Sequence, residues 1–120
     1  MFIFEKLEVY QRAVDSAEKA SNLTAEFPRG SGYLADQLNR ASLSISLNIA
    51  EGNGRWSKAE RRNFFTIARP SVHECIPILE LCLRKQLIGG QCAQQLKDEL
   101  EILAKMLSGL IERQSSLKAE

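Results

Sequence analysis

Basic side chains recur in the middle of the chain at a spacing that suits contact with a phosphate backbone. Lys58, Arg62 and Arg69 fall within about 40° of one another on a helical wheel. An aromatic ring between such cations can stack on an unpaired base while they follow the backbone. The candidate nucleic-acid-binding residues are Arg55, Lys58, Arg61, Arg62, Phe65 and Arg69. A solvated helix face, with the ring packed against another helix or subunit, is the alternative.

The basic side chains are concentrated in one part of the sequence. Residues 40–69 hold six basic and two acidic side chains, a balance of +4. The balance is −2 over residues 1–39 and −1 over residues 70–120. Because the formal net charge is only +1, the molecule as a whole is not expected to attract polyanions. An anionic partner is therefore expected near the middle of the chain.

The residue types of the chain give little support for metal binding or for catalysis. The chain has one histidine, His73, and no Glu-x-x-His motif of the kind that holds a di-iron centre in helical bundles. His73 and Cys75 point away from each other on a helix, so they cannot share a metal ion. Cys75 and Cys82 share an apolar face, which predicts that both thiols lie in the core. No serine has a histidine at a spacing typical of a nucleophile and its base. We predict a non-enzymatic protein with no metal and no cofactor.

Length and composition predict one soluble domain that comprises residues 1–120. The hydrophobic share of 44% and the charged share of 26% are ordinary for a globular protein. The N-terminus has no signal-peptide pattern, and no run approaches the roughly 18 apolar residues that a membrane span needs. Three cysteines without a CxxC pair suit reduced thiols. We expect a cytoplasmic protein without membrane contact.

Four helices are predicted to position these residues. Apolar residues recur at helical spacing over residues 5–26, 34–53, 58–87 and 91–115. The predicted buried face of the first helix comprises Leu7, Tyr10, Val14, Ala17 and Leu23. The fourth helix has a seam of leucines at spacings of four and three, namely Leu96, Leu100, Leu103, Leu107 and Leu110. Since the connections are short, the prediction is an all-α, antiparallel up-down-up-down four-helix bundle.

The third helix has marked start and interruption signals. Ser57 and Glu60 have the spacing of a capping box, which predicts that the helix begins after Ser57. Pro70 and Pro77 interrupt the helical pattern, so we expect a kink near residues 66–70, with a full break as the alternative. In the preceding turn, Gly52 or Gly54 is expected to have a positive φ.

The second helix has two apolar stripes. The inner stripe comprises Leu38, Ala41, Ile45 and Ile49, and the outer stripe comprises Leu43, Leu47 and Ala50. Two stripes separated by small side chains suit a helix that packs both in its own bundle and against another subunit. The central helix of a monomer is the alternative. The candidate oligomer-interface residues are Leu43, Leu47, Ala50 and Trp56.

Several segments resemble one protein family. The strongest match is the stretch QLNRASLSI at residues 37–45, which is followed by NIAEG at residues 48–52. A third segment is FEKLEVYQ at residues 4–11. Together these segments resemble the sequences of the four-helix bundle proteins first described as encoded within 23S ribosomal RNA intervening sequences. The resemblance covers residues 4–88, whereas helix four matches only in character. Arg61 departs from the family pattern, because an apolar or aromatic residue is common there.

The resemblance implies a homo-oligomer, commonly a pentameric ring, with no known enzymatic activity. A related branch, the accessory variability proteins of diversity-generating retroelements, partners a reverse transcriptase and binds nucleic acid through a basic surface. We therefore expect association with RNA, DNA or a nucleoprotein, and with a reverse transcriptase if the chain is linked to a retroelement. A structural or protein-binding ring with no nucleic-acid role is the alternative.

Overall fold

A computed structural model describes residues 1–118, with the side chains described as far as residue 115. Its four α-helices are α1 (Glu8–Thr24), α2 (Gly32–Asn53), α3 (Lys58–Arg84) and α4 (Gly90–Lys118). Short 3-10 helices at Ile3–Lys6 and Arg29–Ser31 precede α1 and α2. Consecutive helices pack side by side and α1 also contacts α4, which closes the bundle. Residues 1–118 contain no strand. The all-α four-helix bundle predicted from the sequence is confirmed.

The core lies along the bundle axis and is built from the predicted stripes of α2 and α4. The inner stripe of α2 is fully buried. Four of the five seam leucines of α4 are buried as well, and Leu110 packs against them from a partly buried position. These two predictions are correct because large aliphatic side chains at constant helical spacing have only one face to bury.

The predicted buried face of α1 was only partly correct. The residues that α1 buries are Val9, Ala13, Ser16, Ala20 and Thr24. Val14 is exposed, and Leu7, Tyr10 and Leu23 lie at the edge of the core. The centre of the true face carries alanine and serine, whose small side chains allow α1 to approach its neighbours closely. The larger apolar side chains therefore flank the contact instead of filling it.

Ser16 is an unsatisfied polar residue within this face. Its side chain is fully buried, and its hydroxyl oxygen has no hydrogen-bond partner among the described residues. Replacing Ser16 with alanine should raise the free energy of unfolding by about 1 kcal/mol, because a buried hydroxyl without a partner is destabilising. Thermal unfolding followed by circular dichroism measures the effect.

Ser42 provides the control for this substitution. It is also buried, but its hydroxyl donates to the carbonyl oxygen of Asn39 at 3.3 Å. Ser42→Ala should therefore not stabilise the fold. A Ser16→Ala variant that melts at or below the temperature of the parent would show that the Ser16 hydroxyl is satisfied.

Helix α3 runs without interruption through both prolines. It extends over Lys58–Arg84, which excludes the predicted alternative of a full break at Pro70. The Ser57 hydroxyl accepts a hydrogen bond from the Glu60 amide at 3.0 Å, which confirms the predicted N-cap. The helix ends before the predicted residue 87, since Gln86 takes a φ of 61° and turns the chain.

The glycines between α2 and α3 correct a further prediction. No glycine among residues 1–118 has a positive φ, and Gly54 has a helical φ of −81°. Gly52 lies in the last turn of α2, where an added Cβ would be 2.8 Å from Phe65 Cε1 and 2.9 Å from Phe64 Cβ. Gly52 is therefore required by close packing between α2 and α3 and not by its backbone conformation.

Candidate nucleic-acid interface

The first turn of α3 places Arg61 inward, at the end of the bundle. Its Nη1 donates to the carbonyl oxygens of Arg55 and Trp56 at 2.9 and 2.8 Å. Its Nε donates to Oε1 of Gln114 on α4 at 3.2 Å. The guanidinium thus fastens the α2–α3 connection to α4. The prediction that Arg61 belongs to an exposed basic surface does not match this partly buried side chain, whose Nε and Nη1 are engaged within the fold.

Arg55 lies in the connection between α2 and α3 and contacts both helices. Its Nη2 forms an ion pair with Oε2 of Glu51 at 3.0 Å. Its Cζ lies 4.7 Å from the centroid of the Phe64 ring, within the range of a cation–π contact. The Glu51 carboxylate offsets the charge of Arg55, so this residue adds little to an anion-binding surface.

Phe65 is a core residue. Its side chain is 2% exposed and packs in line with Ala68, Val72 and Cys75. The sequence interpretation took Phe65 as an accessible ring between the cations, whereas its neighbour Phe64 is the more exposed of the two rings. Because the Phe65 ring is enclosed, it cannot stack on a base, and this part of the predicted site is wrong.

The remaining cations lie along one edge of α3. Arg69 Nε donates to the hydroxyl of Ser108 on α4 at 2.8 Å, which places this edge beside α4. Arg62 and Arg69 are both exposed, and neither forms an ion pair with a carboxylate of the described side chains. Lys58 precedes Arg62 by one helical turn and is partly buried. These three residues are the predicted site residues that the structure brings together.

The sequence interpretation missed a contribution from α4. Lys105 is exposed and lies three residues before Ser108, so it neighbours the Ser108–Arg69 contact on the helix surface. We call Lys58, Arg62, Arg69 and Lys105 the α3–α4 edge. Glu112 lies one turn beyond Ser108 and tempers the positive charge on that side. No spacing within α3 could have indicated Lys105, because the contact joins residues 39 positions apart.

The outer stripe of α2 remains on the surface. Leu43 is 50% exposed and Leu47 is 55% exposed, while Ala50 is partly buried. The alternative in which α2 is buried on both sides within one copy is therefore excluded. Trp56, in the connection to α3, is 97% exposed. All four candidate interface residues retain accessible surface that a second molecule could cover.

Two of the cysteines are core residues, as predicted. Burial, with a smaller contribution from the charge of Glu74, raises the pKa of the Cys75 thiol to about 12. Burial also raises the pKa of the Cys82 thiol. Neither thiol is a competent nucleophile near neutral pH. Within the described part of the chain, His, Cys, Asp and Glu form no cluster of three that could hold a metal ion.

A family model described as the 23S rRNA-intervening sequence protein matches residues 5–109. The chain belongs to the 23S rRNA-intervening sequence protein family. The matched range includes most of α4, which the resemblance at residues 4–88 did not cover. Membership in the family assigns no activity. In residues 1–118 there is no helix whose length and apolarity would let it cross a membrane.

A solved structure has the same fold as this chain. It is the crystal structure of a protein of unknown function from the S23 ribosomal protein family of Bacteroides thetaiotaomicron VPI-5482. The identity is 24%, the alignment covers 86% of this chain and 97% of that chain, and the TM-score is 0.78. At this identity the likeness shows the fold alone. No curated protein matches the chain.

Proposed function

We propose that this member of the 23S rRNA-intervening sequence protein family is a non-enzymatic homo-oligomer that binds nucleic acid or a nucleoprotein through the α3–α4 edge. The observation that carries the proposal is the pair Arg62 and Arg69, which are exposed and have no carboxylate partner among the described side chains. They are separated by about 10 Å along the helix axis. Two guanidinium groups at this separation can contact different phosphates of one strand.

The mode of binding follows from which side chains are accessible. Phosphate contacts are expected to dominate, since the buried Phe65 ring offers no stacking surface. Binding should therefore be steeply salt-dependent and weak in sequence preference. Single strands should gain no advantage from stacking on this surface. This expectation replaces the single-strand preference that an exposed ring would have produced.

Oligomerisation would strengthen such an interface. The exposed outer stripe of α2 and Trp56 support self-association, and a pentameric ring is the assembly that the family resemblance suggests. Each copy would repeat the α3–α4 edge, so several weak phosphate contacts would combine in one assembly. A reverse transcriptase is the proposed protein partner if the chain is linked to a retroelement.

Substitution of the edge tests the proposal. A variant with Lys58→Gln, Arg62→Gln and Arg69→Gln should bind a labelled single strand and a labelled duplex more weakly than the parent. The slope of log K against log salt should flatten by about 0.7 to 0.9 for each phosphate that the variant no longer neutralises. Fluorescence anisotropy at several salt concentrations measures both quantities.

A matched variant controls for the change in net charge. Lys6→Gln, Arg12→Gln and Lys19→Gln remove three cations from α1 and the segment before it, away from the edge. This control should keep a parent-like slope. If the parent does not bind at low salt, or if the edge variant keeps the parent slope, the nucleic-acid proposal fails.

The alternative function is a structural or protein-binding ring without a nucleic-acid role. The exposure of Leu47 and Trp56 favours it, because both are apolar and neither suits contact with phosphates. Light scattering after size-exclusion chromatography tests the assembly that both functions share. A mass of 13.5 kDa at micromolar concentration, that of one chain, would contradict self-association.

A further inference from the structure

An open groove lies between the N-terminal segment and the last turns of α2. It has a volume of about 700 Å³. Its apolar lining includes Phe2 and Ile3, which are 70% and 78% exposed, together with Leu47 and Ala50 of the outer stripe. Glu51 and Arg55 form its polar rim. A surface this apolar and this open is typical of a binding site.

The walls of the groove are held in place before any partner arrives. The Phe2 ring stacks on Phe4 with the ring centroids 5.6 Å apart, and Phe4 meets Tyr10 of α1 edge-on at 5.0 Å. The Phe2 amide donates to Oε2 of Glu5 at 3.0 Å. The aromatic wall is thus anchored to α1 through Tyr10. A preformed groove binds without the entropy cost of ordering its walls.

Trp56 follows the rim residue Arg55 but does not line the groove of its own chain. At 97% exposure, its indole ring is almost entirely in water. Tryptophan buries a large apolar area when it binds, and it is the residue type most enriched among the anchors of protein interfaces. The same end of the bundle therefore displays an unfilled apolar groove and an uncovered apolar ring.

We propose that Trp56 of one copy inserts into the groove of a second copy of this chain, between Phe2, Ile3 and Leu47. This inference rests on the proposed self-association and names the contact that anchors it. The groove offers an indole ring a hydrogen-bond acceptor as well as apolar walls. The indole N–H needs an acceptor, and the exposed Glu51 carboxylate at the rim keeps lone pairs that its single hydrogen bond with Arg55 does not use.

Trp56 and the groove residues of α2 lie at the same end of the bundle. A contact between Trp56 of one copy and the groove of the next is heterologous. Heterologous contacts close into a ring when the rotation between neighbouring copies divides a full turn evenly.

Trp56 is the anchor of this interface and not the whole of it. A tryptophan buries about 150–250 Å², whereas a stable interface needs about 800 Å² from each partner. Leu47 belongs both to the groove and to the outer stripe, so the groove continues into Leu43 along α2. The outer stripe supplies further apolar area beside the anchored ring.

Trp56 is the only tryptophan of the chain, so its fluorescence reports this contact alone. As the concentration is raised into the associating range, its emission should shift to shorter wavelength and quenching by acrylamide should fall. Trp56→Ala should weaken self-association about thirtyfold, the loss typical of a strong interface anchor. Its melting temperature at concentrations where both proteins are monomeric should equal that of the parent. Ile102→Ala, which removes an exposed apolar side chain from α4, should change neither property.

Cross-linking identifies the groove directly. One chain carries Ala59→Cys, three positions after Trp56 and exposed, and another carries Ile3→Cys, so that the anchoring indole stays in place. Both chains also carry Cys92→Ser to remove the exposed native thiol. Mixing the two chains with a short bifunctional thiol reagent should cross-link them to each other. If light scattering shows assembly but the cross-link does not form, the groove contact is overturned and the proposed self-association remains intact. The same holds if the protein assembles while acrylamide still quenches Trp56 fully. A parent that stays monomeric at every concentration would overturn both, while nucleic-acid binding is decided separately by anisotropy.

Discussion

Replacing Gly52 with valine should lower the free energy of unfolding by about 3 kcal/mol. The Cβ that any other residue adds would lie 2.9 Å from Phe64 Cβ and 2.8 Å from the buried Phe65 ring. Phe64 Cβ is fixed to the backbone of α3 and cannot rotate away. The two helices must therefore separate, which opens the core around Phe65. Chemical denaturation followed by circular dichroism measures the loss.

Gly54 is the matched control for this substitution. The nearest atom to an added Cβ there is the Glu51 carbonyl oxygen at 3.6 Å, an ordinary contact. Its helical backbone also suits a side chain. Gly54→Val should change the free energy of unfolding by less than about 1 kcal/mol. Equal melting temperatures for the two valine variants would contradict the packing explanation.

Replacing Arg61 with alanine should cost about 2 kcal/mol of folding stability. The substitution removes hydrogen bonds to two loop carbonyl oxygens and to Gln114, so the α2–α3 connection is no longer attached to α4. Urea denaturation of the purified variant measures the effect. The salt dependence of nucleic-acid binding should remain that of the parent, because the Arg61 guanidinium is occupied within the fold.

Arg62, the next residue, is expected to show the opposite behaviour, with an effect on binding and none on stability. Its side chain is exposed and forms no hydrogen bond with the described side chains, so Arg62→Ala should leave stability within about 0.5 kcal/mol of the parent. The same substitution should flatten the salt dependence of binding. If Arg61→Ala alters binding while stability is unchanged, the roles assigned to the two arginines are reversed.

The sequence predicts the helices well where large aliphatic residues repeat. The inner stripe of α2 and the leucine seam of α4 are buried as their spacing indicates. In α1 the close contact is made by Ala13, Ser16 and Ala20, and hydrophobicity alone gives these small residues little weight. Phe64 and Phe65 are adjacent, so a rotation of one residue decides which ring enters the core. Both phenylalanines pack closely against Gly52 of another helix, a contact that helical spacing within α3 cannot show.

The candidate site was only partly predictable for a related reason. Helical spacing places Lys58, Arg62 and Arg69 on one edge, and the structure agrees. Spacing cannot show that Arg61 turns inward, because its partners are carbonyl groups of a connection whose path depends on the packed helices. The contribution of Lys105 comes from α4, far away in the sequence. Local patterns thus predict which cations share a helix face, and tertiary contacts decide which of them remain available.

The continuity of α3 through two prolines has a consequence for the order in which the bundle folds. Pro70 and Pro77 each deprive the helix of one backbone hydrogen bond, at a cost of about 3 kcal/mol or more in an isolated helix. As a separate segment, α3 should therefore be largely unstructured. Its helix is expected to form only while it docks between α2 and α4, its two main neighbours. Of the four helices, α3 should then be the last to form.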